Sequence, residues 1–249
     1  MLKKRIIPAL LIKGSSIVKS IQFDEHRIVG DFISTTKVFS KRFADEMFIL
    51  DIDAYDNNKI NYSNIYEISK FCNMPLTVGG GIRNLDNAKR LFESGADKIV
   101  IKTSYFENRK VIEQIAKYFG NQSVVVCMDI IRKNNIPFMI KNLENKNPLD
   151  PLIEIKEIEK LGAGEILINF VDLDGTMKGF DINFIEIITK ISNVPVITMG
   201  GCGSKEDFLK AFNAGAEAVA AGSIFFWIGE TIISIKEYLK NNKVSIRMK

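Results

Sequence analysis

The stretch PLTVGGGIRNLDNAKRLFESGADKIVIKTS, starting at Pro75, returns half a chain later as PVITMGGCGSKEDFLKAFNAGAEAVAAGSI, starting at Pro195. Each copy reads as an apolar strand, a glycine cluster, an amphipathic helix with a polar start and a Gly stop, and a second apolar strand. Gly79-Gly80 fall on Gly200-Gly201, Gly95-Ala96 on Gly215-Ala216 and Thr103-Ser104 on Ser223-Ile224, with a one-residue ambiguity at the glycines. Short Ile- and Val-rich runs recur near Ile6–Ile12, Met47–Ile52, Leu76–Val78, Lys98–Ile101, Val124–Ile130, Ile166–Phe170, Val196–Thr198 and Ala218–Ala221. Eight strands, each followed by a helical pattern, spell a parallel sheet with helical crossovers. Their apolar residues run on rather than alternate, so both faces are buried. Eight such units in 249 residues fit a (β/α)8 barrel built from two half-barrels, one domain over residues 1–249. A doubly wound sheet is the alternative, but no G-x-G-x-x-G opens a helix after the first run. The polar excursion RKNNIPFMIKNLENKNPLD is expected to be a loop with a hairpin at the face that carries the chemistry.

Composition removes several classes of function. Hydrophobic residues make up 46% and charged residues 26%, ordinary for a soluble protein with a sizeable core. A net charge of +4, with no run of five or six Lys or Arg, gives no support for nucleic-acid binding and leaves anionic small molecules as partners. Cys72, Cys127 and Cys202 lack metal-ligand spacing and, being odd in number, point to a reducing compartment with no disulfide framework. The one histidine, His26, lies in the polar stretch QFDEHRIVGD and reads as a surface or loop residue. Its isolation argues against Ser-His-Asp and Cys-His mechanisms and against a histidine-rich metal site, so neither metal nor cofactor is expected. The apolar run after Met1–Lys4 stops at Lys13 without a cleavage site, so a cytoplasmic protein with no membrane partner is expected.

In a barrel the C-terminal strand ends form the active face. Glycine clusters gather there: Gly79 to Gly81, Gly175 in DLDGT, Gly200-Gly201 and Gly222-Ser223. Glycines let backbone N–H groups approach an anion closely, and the following helix adds its positive end. One cluster alone reads as a tight turn. Two clusters at half-chain symmetry predict two phosphate sites and a substrate with a phosphate at each end. Carboxylates gather there too: Asp51 and Asp53 in FILDIDAYD, Asp129 in CMD, and Asp172 and Asp174 in NFVDLDG. An acid at the tip of an apolar strand is placed to bind, orient or move a proton. The first run, RIIPALLIKGSS, breaks the pattern, because Leu11 stands where its equivalent, VVVCMDIIRK, places Asp129.

The motifs KRIIPALLIK, ILDI, TVGGGI, GADKIVI, VVVCMD, GAGEIL, DGTMKGFD and FNAGAEAVAAGSIF follow one another in the order and spacing of a known family. Over nearly its whole length the chain resembles the HisF family, the cyclase subunit of imidazole glycerol phosphate synthase in histidine biosynthesis. The resemblance implies the (β/α)8 fold, ammonia supplied by a HisH-like glutaminase subunit, and a substrate with two phosphates. It places Gly81, Lys102 and Thr103 at one phosphate and Asp174, Gly175, Gly201, Gly222 and Ser223 at the other. It makes Asp129 the catalytic acid of the fifth strand and sets Leu11 where the first strand's catalytic aspartate belongs. Asp51 or Asp53 would have to replace that acid, and Asp53 is the better placed because the family usually lacks an acid there. Lys102 replaces an asparagine, Asn169 a threonine and Met199 a serine, and KGSSIVKS replaces a D-G-R-containing loop. Taken cold, Arg5, Glu46, Lys98 and Glu165 are solvated charges ahead of strands. By resemblance they match the ring that gates ammonia at the bottom of the barrel, and Asp97 matches a position that docks the glutaminase.

Three readings follow. The chain is a paralogue that passes ammonia to a sugar amidotransferase for amidino sugars of surface glycans. Alternatively it is a working cyclase with a relocated base, or a non-catalytic activator that binds a phosphorylated effector.

Overall fold

The computed structural model describes residues 3–144 and 147–248. Residues 145 and 146, in the polar excursion, and both ends of the expected domain lie outside them. Eight parallel strands close into a barrel: β1 (Arg5–Lys13), β4 (Met47–Asp51), β5 (Leu76–Gly79), β6 (Lys98–Ile101), β7 (Val124–Lys133), β9 (Glu165–Phe170), β10 (Val196–Met199) and β11 (Ala218–Ala221). Each pairs with the next, and β11 closes on β1 with Arg5 opposite Ala218 and Pro8 opposite Ala221. The fold is the (β/α)8 barrel that the eight apolar runs predicted.

Helices cross between these strands and start where their sequences provide caps. The Asn84 side chain accepts a hydrogen bond from Asn87 N at 2.9 Å ahead of α3 (Leu85–Glu93), numbering helices in chain order after α1 (Phe32–Lys41) and α2 (Tyr62–Ser69). Ser204 and Asp207 form a capping box at the start of the repeat's second helix, Lys205–Asn213. Each cap is worth about 1 kcal/mol. Residues two apart on a strand share a face. One face of each strand therefore packs on the helices, and the other fills the barrel with Ile7, Ala9, Phe48, Val100, Val125, Cys127, Leu167, Ile197, Met199, Ala218 and Ala220. This apolar plug separates a charged layer below it from a polar layer above.

Two details depart from the sequence reading. Gly79 ends β5 as Met199 ends β10, and Gly80 and Gly200 both take positive φ, so Gly80-Gly81 are the counterparts of Gly200-Gly201. The repeat then has one constant offset. Secondly, the first strand does not deliver its tip to a plain loop. It turns at Gly14-Ser15 into an antiparallel hairpin with β2 (Ser16–Lys19), pairing Leu11 with Val18, and β2 pairs with β3 (Arg27–Asp31). The expected hairpin after the fifth barrel strand is present: β7 pairs with β8 (Ile136–Ile140) around Asn134-Asn135, both at positive φ as a primed two-residue turn requires.

Candidate active-site mouth and basal charged ring

Inward alternation sends the last side chains of the barrel strands into a cavity of about 490 Å³ at their C-terminal ends, a size suited to a small molecule. Asp129, from β7, is 2% exposed there. Its Oδ2 accepts a hydrogen bond from Lys102 Nζ at 2.8 Å and its Oδ1 one from Asn169 Nδ2 at 2.9 Å. Asn169 Oδ1 is buried without a hydrogen-bond partner. Burial is the largest influence on the Lys102 pKa and lowers it, but the charge and hydrogen bond of Asp129, with Cys127 and Asp56, together outweigh it, so the pKa is raised and Lys102 is a firm cation. Leu11 lines the same cavity from β1, with Leu50 beside it on β4. One strand tip thus presents an oriented carboxylate and the other presents hydrocarbon.

Asp51 and Asp53 also line the cavity. Asp51 Oδ1 accepts from the backbone N–H groups of Asp53 at 3.1 Å and Ala54 at 3.0 Å, and Asp53 Oδ2 accepts from Gly14 N at 3.1 Å. Burial raises the pKa of Asp51, partly offset by its two N–H donors. Both acids thus brace the loop after β4 and the first hairpin.

Gly81, Lys102, Thr103, Asp174, Gly175, Gly201, Gly222 and Ser223 all border this cavity. The backbone comes so close at these glycines that a Cβ on Gly201 would lie 2.2 Å from Gly179 O, and one on Gly175 2.2 Å from Ser20 O. Two further residues, which motif reading passed over, belong here. Lys19, at the end of β2, is 7% exposed, and its Nζ donates to Ala9 O at 2.8 Å. It stands where a Cβ on Gly222 would be, 1.8 Å away. Burial lowers the Lys19 pKa to about 8 against the pull of Asp174, while burial raises Asp174 to about 6. Ser20 Oγ is buried and without a hydrogen-bond partner on the same rim. A lysine closing the apolar run SIVK was the available signal, visible only once that run is recognised as a buried hairpin strand.

At the opposite end the four charges at the N-terminal ends of β1, β4, β6 and β9 meet in one ring. Arg5 reaches Glu46 at 2.6 Å and Glu165 at 3.0 Å, and Lys98 reaches both glutamates at 3.1 Å. Glu46 takes a further hydrogen bond from Thr77 Oγ1 at 2.6 Å. Burial works against the Arg5 charge, but Glu165 and Glu46 more than compensate and raise its pKa. Two cations and two anions balance inside the barrel's lower opening. Asp97 is exposed beside Lys98, its Oδ2 accepting from Leu76 N at 2.8 Å, so it also fixes the start of β5.

The remaining candidates are quiet. Cys127 and Cys202 are buried with thiol pKa values pushed up by burial, and burial raises Cys72 to about 11, which suits small apolar side chains rather than nucleophiles. His26 is exposed in the loop between β2 and β3. Among the described residues no helix is long and apolar enough to cross a membrane.

The model of the family described as histidine biosynthesis protein matches residues 5–229. The imidazole glycerol phosphate synthase subunit HisF of Dictyoglomus thermophilum is 39% identical over 251 aligned positions, covering all of both chains. The chain belongs to the HisF family. A Campylobacter jejuni protein provisionally named imidazole glycerol phosphate synthase subunit hisF2 is 38% identical over the full length of both chains. A Vibrio vulnificus protein provisionally named subunit hisF3 is 37% identical, over 92% of this chain and 90% of its own.

Proposed function

We propose that this HisF-family barrel is the ammonia-receiving subunit of a glutamine amidotransferase, with a HisH-like glutaminase docked on the face that carries Asp97. Ammonia enters through the ring of Arg5, Glu46, Lys98 and Glu165 and passes up the barrel. It then goes to a sugar amidotransferase that builds amidino sugars of surface glycans, while cyclase chemistry in the barrel itself is curtailed. One contrast carries the reading: the basal ring is fully paired, whereas at the mouth Leu11 faces the cavity and Asp129 is engaged by Lys102 at 2.8 Å. A general acid or base contributes about 10²–10⁴-fold, so its loss leaves a cyclase slow unless another group takes its place. The test is to reconstitute barrel, glutaminase and amidotransferase and compare glutamine hydrolysed with acceptor aminated. Tight coupling that collapses when the barrel is omitted supports the reading, and coupling that survives its omission ends it.

A second reading keeps the cyclase active, as in the family's histidine-biosynthetic members. Asp51 and Asp53 in the same cavity as Asp129, together with glycine-lined positions for two phosphates, favour it. Turnover of the diphosphorylated substrate with ammonium salt at the rate of an ordinary family member would establish it.

A further inference from the structure

Lys102 and Asp129 are joined in a way that a bound ligand can undo. Lys102 Nζ sits 2.8 Å from Asp129 Oδ2, inside a cavity whose walls approach through bare glycine backbone. The Asp129 end of the pair is fixed. Its carboxylate is 2% exposed on a barrel strand, and Asn169 Nδ2 holds the other oxygen at 2.9 Å. The Lys102 end is the more exposed of the two. Its side chain is 33% exposed to the cavity, sits on four rotatable bonds and carries a compact charge with three donors rather than a rigid fork. Lys102 lies beside Thr103 and borders the cavity together with Gly81. A dianionic phosphate there offers the ammonium twice the charge of a carboxylate and three acceptor oxygens.

We propose that Lys102 is the specificity-determining cation of this mouth. It is shared between Asp129 and the phosphate group of a phosphorylated small molecule, so that only a bound phosphate dianion releases the Asp129 carboxylate. This rests on the phosphate-site reading of Gly81 and Thr103. The mouth then discriminates by charge. A neutral sugar or a monocarboxylate leaves the Lys102–Asp129 pair closed, and a phosphate monoester opens it and frees Asp129 at the moment the ligand is present.

The experiment is a double-mutant cycle on stability with Lys102→Met, Asp129→Asn and the double variant, by urea unfolding in phosphate-free buffer and in saturating inorganic phosphate. Lys102→Asn serves as a second, smaller replacement in case the methionine variant folds poorly. The expected result is coupling between the two residues without phosphate, loss of that coupling when phosphate saturates, and phosphate affinity at least ~10-fold weaker in both Lys102 variants than in the wild type. Coupling that persists while phosphate stabilises the wild type would keep Lys102 on Asp129 and overturn the proposal alone. Phosphate affinity unchanged in the Lys102 variants does the same. A wild-type protein with no response to phosphate overturns the phosphate-site reading first, and this proposal with it.

Discussion

Lys19 carries a charge in a place that water scarcely reaches, and this makes anion binding at the upper rim depend on pH. Burial brings its pKa to about 8, below the ordinary lysine value, and raises Asp174 to about 6. A lysine pKa depressed in the folded state means that the free protein gains stability as pH rises from about 8 towards 10.5, because the unfolded chain binds the proton more tightly. An anion beside Gly222 favours the protonated amine and opposes that trend. Sulfate, a dianion throughout, should therefore bind best below pH 6, where Asp174 loses its charge. Its binding should weaken again above pH 8, approaching tenfold per pH unit as Lys19 deprotonates. Calorimetric titration across pH 5 to 10 checks it, and Lys19→Met should remove the upper step. Leu11 leads to a kinetic expectation. With the family's diphosphorylated substrate and ammonium, turnover should be at least ~10²-fold below an ordinary member. Leu11→Asp alone should recover little because Met199 keeps the same cavity apolar, and Leu11→Asp with Met199→Ser should recover more; steady-state assays of the variants decide. The sequence showed Leu11 as a missing acid because a matching strand supplied the comparison. It did not show that Lys102 closes on Asp129, since that contact joins residues from different strands through side-chain reach.

At the scale of elements, the strands and helices were legible because a continuous apolar run and a capped amphipathic stretch are local patterns. β6 and β11 fall on their predicted ranges, and the others differ only at their ends. What stayed hidden was pairing. The run SIVK is too short to declare itself a strand, and only its register against β1, Ile12 with Ile17 and Lys13 with Ser16, makes it one. The turn that sets this register gives a graded prediction. Gly14 has φ of 60° and open space, with nothing within 4 Å of where a Cβ would sit, so Gly14→Ala should cost only the left-handed backbone penalty, about 1 kcal/mol. Gly80 has φ of 119° and its Cβ would meet Asp51 O at 2.2 Å, so Gly80→Ala must also displace the loop that Asp51 braces. Urea unfolding should rank Gly80→Ala well below Gly14→Ala in stability, and only the former should perturb anion binding at the mouth.

On the scale of the whole molecule, the apolar plug of Ile7, Phe48, Val100, Val125 and Leu167 keeps the charged base and the polar mouth apart, so each end can change without the other. Arg5, Glu46, Lys98 and Glu165 balance because two cations meet two anions. Lys98→Met leaves Glu46, 1% exposed, and Glu165 sharing Arg5 alone, a buried uncompensated charge that should cost about 3 kcal/mol. Lost stability and lost gating would both follow from that variant, so it cannot separate them. The pair Lys98→Met with Glu165→Gln removes one charge of each sign and leaves Arg5 on Glu46 at 2.6 Å, which should return most of the stability. If the ring also steers ammonia, this restored barrel should still waste it: with glutaminase and acceptor enzyme present, glutamine hydrolysis continues while the fraction of nitrogen reaching the acceptor falls. If the doubly substituted barrel couples hydrolysis to amination as well as wild type does, the ring is a structural brace and the conduit lies elsewhere.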